Sequence, residues 1–158
     1  MRVNDIMSAP VYTIDANEPA TTAWDTMRFR RTRHLVVTGS EGRVIGVISA
    51  SDLGGKHGDA VRVRRRVGDL MTEKLVVCTP DTTIREAANL MRGHAVNCLP
   101  VFHGRDRLKG IVTVVDLLEL IGRGTQRPME AAPRPVLKDR GVKPRQARPR
   151  QATARAAR

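Results

Sequence analysis

Two short motifs combine a hydroxyl and a carboxylate three residues apart. Ser49 precedes Asp52 and Thr113 precedes Asp116, each after an apolar run and at a predicted helix start. The hydroxyl can donate to a phosphate oxygen there, because a helix N-terminus adds free N–H groups and partial positive charge. The carboxylate can accept two hydrogen bonds from a ribose diol. The same residues also suit ordinary helix capping, so the spacing alone leaves both interpretations open.

These motifs belong to an internal repeat. A shift of 64 positions aligns residues 2–53 with residues 66–117 without a gap, and 13 of the 52 pairs are identical. Ordinary residue usage gives about three identities by chance. The chain therefore holds two copies of one unit, and each copy carries its hydroxyl–carboxylate motif at the same place.

Each copy predicts strand, helix, strand, strand and helix. The predicted strands are residues 11–14, 34–37 and 44–48 in the first copy and residues 75–78, 98–101 and 108–112 in the second. The last helix starts near Thr113 and runs to Ile121, whereas Gly54 and Gly55 cut its counterpart short. One unit of about 50 residues buries too little surface to be stable alone. We therefore expect one α+β module in which two β-α-β-β-α repeats pack around a pseudo-twofold axis.

The repeated motifs resemble the CBS domain pair, also called the Bateman module. That family has an Asp-apolar-Met-Thr/Ser opening, an apolar-Pro-Val strand and a Gly-apolar-apolar-Thr/Ser-x-x-Asp-Leu close. Here these motifs occupy residues 5–8, 35–37 and 46–53, and again residues 69–72, 99–101 and 110–117, with Val36 in place of the first Pro. We predict repeat 1 at residues 2–55, a linker at 56–65 and repeat 2 at 66–121. The Arg-rich linker is either a solvated loop or a phosphate-contacting edge.

The resemblance implies a regulatory module, without catalysis, that binds an adenine nucleotide of the AMP, ADP, ATP or S-adenosylmethionine class between the repeats. It also implies a face-to-face homodimer. One implied ligand set is Ser49, Asp52, Thr79, Ile84, Val96 and Asn97. The other is Thr113, Asp116, Asp15, Ala20, Thr32 and Arg33. In this second set the guanidinium of Arg33 would meet a phosphate.

Most of the net charge of +12 lies near the C-terminus. Residues 122–158 contain eleven Lys or Arg against two Asp or Glu, whereas residues 1–121 carry a net charge of only +3. Five prolines and few apolar residues predict that residues 122–158 form a disordered tail. The tail supports an alternative function, in which the repeats are a dimeric platform and the tail binds nucleic acid or another polyanion nonspecifically.

Other chemistry has little support in the sequence. Cys78 and Cys98 have no His or Cys partner at metal-ligand spacing, so we expect neither a metal nor a cofactor. No residues are spaced as a nucleophile with its base, which argues against an enzyme. The chain also lacks a signal-peptide pattern and an apolar run of about 20 residues, which predicts a cytoplasmic protein that does not enter membranes.

Overall fold

The computed structural model describes residues 1–122, and the remainder of the predicted tail lies outside these residues. The strands are β1 (Thr13–Asp15), β2 (His34–Thr38), β3 (Val44–Ser49), β4 (Cys98–His103) and β5 (Arg107–Thr113). The α-helices are α1 (Ala20–Arg30), α2 (Asp59–Arg62), α3 (Val67–Leu70), α4 (Ile84–His94) and α5 (Val114–Gly122). This content confirms the predicted α+β class, and helices α1 and α4 are offset by the same 64 positions as the sequence repeat.

Each repeat contributes its own small sheet. In repeat 1, β1 runs parallel to β2, and β2 pairs antiparallel with β3. In repeat 2, β4 pairs antiparallel with β5, and the counterpart of β1 is reduced to a single bridge at Cys78. A proline explains the difference. Val36 donates its N–H to the Tyr12 carbonyl, whereas Pro100, at the equivalent position, has no N–H to donate.

The two opening segments are exchanged between the repeats. Val67 and α3, which open repeat 2 in the sequence, pack into the core of repeat 1, and Val3 packs into the core of repeat 2. Backbone hydrogen bonds join Thr72 to Val47 on β3 at 2.8 and 3.1 Å. The equivalent bonds join Ser8 to Ile111 on β5 at 2.9 and 3.1 Å. Each core is therefore completed by the opening segment of the other repeat.

The cores are aliphatic, as the low aromatic content predicts. The core of repeat 1 contains ten buried residues and the core of repeat 2 contains seven, and none of these residues is aromatic. Helices α1 and α4 turn equivalent Ala and Met side chains inward: Ala23 and Met27, and Ala87 and Met91. This packing holds β3 and β5 in place, and the two hydroxyl–carboxylate motifs begin at their ends.

The linker contains a short helix and a buried arginine, neither of which was expected from the sequence. Residues 59–62 form α2, and Arg62 is 3% exposed. Its guanidinium donates to the carbonyls of Leu53 and Gly55 at 2.8 Å, pairs with Asp59 and lies 4.4 Å from the ring centre of Trp24. For Arg62 both interpretations were wrong, because this guanidinium satisfies buried carbonyls and faces neither solvent nor an open phosphate site.

Candidate functional site

The hydroxyl–carboxylate motifs form two identical caps in the structure. Asp52 Oδ2 accepts hydrogen bonds from the N–H and the hydroxyl of Ser49, both at 2.7 Å. Asp116 Oδ2 accepts the same two bonds from Thr113, also at 2.7 Å. Each hydroxyl oxygen in turn accepts from the aspartate N–H. Thr113 therefore caps α5 as expected, whereas the same bonds at Ser49 close a turn at residues 50–54 and not the predicted helix. In both copies the hydroxyl donates to the carboxylate.

The caps leave one acceptor on each carboxylate. Within residues 1–122, neither Asp52 Oδ1 nor Asp116 Oδ1 has a protein donor. Both side chains are half-buried at the edge of a cavity. A carboxylate oxygen fixed in this way can accept from a ligand hydroxyl without first breaking the cap.

Two cavities lie beside the caps, and their walls correspond position by position. The Asp52 cavity encloses about 150 Å³ and is lined by His34, Val47, Ser49, Asp52, Thr72, Lys74, Leu75, Val76, Ala95, Val96, Asn97, Cys98 and Pro100. The Asp116 cavity encloses about 340 Å³ and is lined by Ser8, Pro10, Val11, Tyr12, Arg30, Arg31, Thr32, Arg33, His34, Ile111, Thr113, Val115 and Asp116. Most wall residues of one cavity lie 64 positions from a wall residue of the other, so the pseudo-twofold axis relates the two cavities.

The cavities gather most, but not all, of the implied ligand residues. In the Asp52 cavity the structure brings together Ser49, Asp52, Val96 and Asn97. In the Asp116 cavity it brings together Thr113, Asp116, Thr32 and Arg33. Both groups cross between the repeats, because the cap comes from one repeat and the segment after α1 or α4 comes from the other.

Four implied residues lie elsewhere. Ala20 is fully buried in the core of repeat 1, and Ile84 is half-buried at the first position of α4. Thr79 is exposed on a separate groove that also involves the β4–β5 turn. Asp15 accepts a hydrogen bond from the Asn17 N–H at 2.8 Å and closes a local turn. None of the four lines either cavity.

The sequence reasoning missed the third wall of each cavity. This wall comes from the residues that follow the exchanged segments, through Lys74, Leu75 and Val76 in one cavity and through Pro10, Val11 and Tyr12 in the other. The signal was present in the 64-residue offset, since these residues align in order. What the sequence did not show is that each segment crosses to the other repeat.

His34 stands between the two cavities. It lines both of them, and it also lines a smaller cavity of about 230 Å³ that reaches Ser49 and Thr113. Burial lowers the pKa of His34, the positive charge of Arg33 lowers it further, and the carboxylates of Asp52 and Asp116 act in the opposite direction. The imidazole is therefore mainly neutral at pH 7, and it senses the charge of both caps.

The two thiols are buried and weakly acidic. Burial raises the pKa of Cys78 to about 11 and that of Cys98 to about 12. Thiolate is the nucleophilic form, so neither side chain is activated near neutral pH. Cys98 lines the Asp52 cavity at the position equivalent to His34, where it contributes an apolar surface.

The sequence of this chain is similar to those of known proteins. The CBS domain family matches residues 3–53 and 67–123. A homoserine O-acetyltransferase from Methanococcoides burtonii is 31% identical over 76% of this chain, but this chain spans only 24% of that protein. An uncharacterized protein from Methanocaldococcus jannaschii is 27% identical, and the match covers 77% of this chain and 91% of that protein.

A solved structure shows the same fold. The CBS domain pair of protein MJ0100, in complex with 5′-methylthioadenosine and S-adenosyl-L-methionine, superposes with a TM-score of 0.71 at 23% identity. The match covers 79% of this chain and 98% of that chain. In the described part of this chain, no helix is long and apolar enough to span a membrane. The two matched repeats cover more than half of the sequence and show that this chain belongs to the CBS domain family.

Proposed function

We propose that this chain is a regulatory module that binds an adenosyl ligand between its repeats and has no catalytic activity of its own. The observation that carries the proposal is the pair of equivalent cavities, each with a carboxylate held by its cap and one carboxylate oxygen open to a ligand. A ribose diol offers two adjacent hydroxyl donors, which suits that acceptor.

Two further observations support an adenosyl ligand. The cavity walls pair these polar caps with aliphatic side chains, such as Val76 and Val96 in the Asp52 cavity. Small-molecule sites commonly combine an apolar wall with a few fixed polar groups. The CBS domain pair of protein MJ0100, which has the same fold, was crystallised in complex with two adenosyl compounds.

Ligand titration tests the proposal directly. Calorimetry and thermal unfolding of the full chain with AMP, ADP, ATP, S-adenosylmethionine and 5′-methylthioadenosine should show saturable binding by at least one of them. Guanosine monophosphate is the matched control, because it keeps the ribose and phosphate and changes the base. No heat and no thermal shift with any adenosyl compound at millimolar concentration would reject this function.

The same proposal includes a homodimer as the regulated assembly. Along α5, Val115, Leu118 and Ile121 are 54%, 58% and 78% exposed and lie three residues apart, so they form one apolar face. Val115 also lines the Asp116 cavity. A second copy packed on this face would therefore sense the occupant of that cavity, which is the differential contact a ligand needs to shift an assembly equilibrium.

Light scattering tests the dimer. Leu118→Glu should convert the dimer to a monomer, because it buries a charge in the proposed contact. Glu119→Gln, one residue away on an exposed position of the same helix, should leave the mass unchanged. A monomeric wild-type chain at 100 µM, with and without ligand, would contradict this part of the proposal. The cytoplasmic location expected from the sequence belongs to the same proposal, and cell fractionation tests it.

The net charge of residues 122–158 favours a second candidate function, polyanion binding. Their net of +9 would bind nucleic acid through phosphate contacts that weaken steeply with salt. Affinity for a 30-nucleotide DNA should fall at least tenfold when residues 123–158 are removed. Equal affinity with and without these residues would show that the tail does not bind nucleic acid.

A further inference from the structure

We infer that the two cavities divide adenosyl ligands by charge: the Asp116 cavity takes a phosphate-bearing adenine nucleotide and the Asp52 cavity takes an adenosyl compound without phosphate. The inference rests on the proposed function and specifies the ligand class of each site. It is carried by the residues at which two otherwise equivalent cavities differ.

The first difference is charge. The wall of the Asp116 cavity contains Arg30, Arg31 and Arg33 against one carboxylate, which gives a net of +2. The wall of the Asp52 cavity contains Lys74 against one carboxylate, which gives a net of zero. Within residues 1–122, neither Arg31 nor Arg33 forms a salt bridge. Their guanidinium groups therefore remain available to phosphate oxygens.

The second difference follows from the repeat. Arg31 aligns with Ala95 and Arg33 aligns with Asn97, and all four residues line their respective cavities. Repeat 1 therefore places two cations where repeat 2 places a methyl group and an amide. Arg31 and Ala95 both adopt φ of 54°, so the backbone that presents these side chains is the same.

The third arginine is held in place by aromatic rings. The guanidinium of Arg30 lies 5.0 Å from the ring centre of Tyr12 and 5.3 Å from that of Phe29. Contacts of this kind favour a cation over the ring face and restrict the long side chain. Tyr12 lines the same cavity, whereas the equivalent position of the Asp52 cavity is Val76. An ordered cation at the cavity edge lowers the entropic cost of holding a phosphate.

The volumes of the two cavities also support a division of ligands by charge. The Asp116 cavity encloses about 340 Å³ and the Asp52 cavity about 150 Å³. The larger and more cationic cavity matches the larger and more anionic ligand. The smaller, neutral cavity with aliphatic side chains matches a ligand in which an uncharged group replaces the phosphates.

The experiment exchanges the differing residues between the repeats. Calorimetry on the full chain uses ADP as the phosphate-bearing probe and 5′-methylthioadenosine as the phosphate-free probe. The double variant R31A/R33N carries the residues of repeat 2 in the Asp116 cavity, and Asp52→Asn weakens the diol acceptor of the other cavity. The basic segment after residue 122 is the same in every protein, so its contribution to ADP binding cancels.

We expect R31A/R33N to weaken ADP binding at least tenfold, since one charge-assisted hydrogen bond contributes about that factor. Its affinity for 5′-methylthioadenosine should stay within twofold. Asp52→Asn should weaken the binding of 5′-methylthioadenosine at least tenfold and leave the affinity for ADP within twofold. The reverse exchange, A95R/N97R, should raise ADP stoichiometry from one to two per chain.

Two results would overturn the inference and are distinguishable. If both probes bind but R31A/R33N leaves ADP unchanged, or weakens both probes equally, the division by charge is wrong and the proposed function survives. If neither probe binds the wild-type chain, the proposed function fails and the inference fails with it. Circular dichroism of each variant shows whether it has folded, and A95R/N97R gives a gain of binding that misfolding cannot imitate.

Discussion

Under the proposed function, Asp52 and Asp116 would each divide their carboxylate between structure and ligand. One oxygen completes a cap that fixes the start of the segment after β3 or β5, and the other has no protein donor within residues 1–122, on a side chain that lines a cavity. The cap removes the freedom of the side chain before any ligand arrives, which is the condition for a preorganised contact. Capping and ligand binding are therefore compatible roles of one residue at these positions.

His34 makes stability depend on pH near neutrality. Its pKa is lowered from 6.5 chiefly by burial, so the folded state resists the proton that the unfolded chain accepts. Stability from the neutral imidazole is present above pH 6.5 and is lost as pH falls through 6.5 toward the lower pKa of the folded state. Denaturant midpoints should therefore decrease between pH 7 and pH 5.5, and in His34→Gln that decrease should be smaller.

His103→Gln is the matched control, because His103 is exposed at the end of β4 and faces neither cavity. It should keep the wild-type pH dependence. Glu86 does not confuse the comparison, because its pKa is lowered from 4.5 by hydrogen bonds from Thr83. The contribution of Glu86 to stability is lost only as the pH falls through 4.5, which is below the range from pH 7 to pH 5.5. Identical slopes in His34→Gln and the wild type would show that His34 is not the titrating group.

At the scale of elements, the exchanged segments pack against two equivalent glycines. A Cβ built on Gly46 would lie 2.8 Å from Met71 Sδ and 2.9 Å from the Thr72 carbonyl oxygen. A Cβ on Gly110 would lie 2.5 Å from Met7 Sδ and 3.1 Å from the Ser8 carbonyl oxygen. Because Gly46 on β3 and Gly110 on β5 have no side chain, the opening segment of the other repeat can come close enough to form a β-bridge with each strand.

Gly46→Ala and Gly110→Ala should each destabilise the protein by about 1–3 kcal/mol, because the overpacked backbone oxygen cannot move aside cheaply. Urea unfolding measures the change. Gly93→Ala, in α4, is the control, since no atom lies within 4 Å of the position that its Cβ would occupy. That substitution should stabilise the chain by about 0.5–1 kcal/mol. Equal effects at all three positions would contradict the bridging role.

The short helix α2 has a similar dependence on one side chain. Arg62→Met should cost about 2–3 kcal/mol, because it leaves the Leu53 carbonyl, and in part the Gly55 carbonyl, without a donor. The single Trp, Trp24, stacks on this guanidinium, so its fluorescence reports the loss of the contact. Arg65→Met, at an exposed position of the same Arg-rich run, should change stability by less than about 0.5 kcal/mol.

Much of this organisation could be predicted from the sequence, and the rest depends on contacts that periodicity does not encode. The local residue pattern predicted α1, α4 and all five strands, and it also predicted a sixth strand at residues 75–78 that is reduced to one bridge at Cys78. This pattern could not predict the exchange, because Val3 and Val67 are the same residue type, as are Met7 and Met71, so the sequence does not distinguish the two cores. The burial of Arg62 depends on two carbonyls and one ring that are distant from it in an Arg-rich run.

At the scale of the whole molecule, the exchange of opening segments means that a sequence repeat and a hydrophobic core do not contain the same residues. Repeat 1 of the sequence lacks Val67 and Met71, which complete its core, and repeat 2 lacks Val3 and Met7. Each cavity likewise combines a cap from one repeat with wall residues from the other. Under the proposed function, a ligand in either cavity would therefore contact residues of both repeats.

This organisation predicts which fragment folds. Residues 1–65 contain the complete first sequence repeat, but they lack the α3 segment and its backbone bonds between Thr72 and Val47. Residues 10–73 have nearly the same length and contain all ten members of the repeat 1 core. Residues 10–73 should therefore show more helicity and a better dispersed NMR spectrum than residues 1–65, because a unit that is already marginal at this size loses its remaining structure without its core residues. Mixing fragments 1–65 and 66–158 should restore the fold by returning each opening segment to its partner. Cooperative folding of residues 1–65 alone would show that the exchanged segments are accessory to the core.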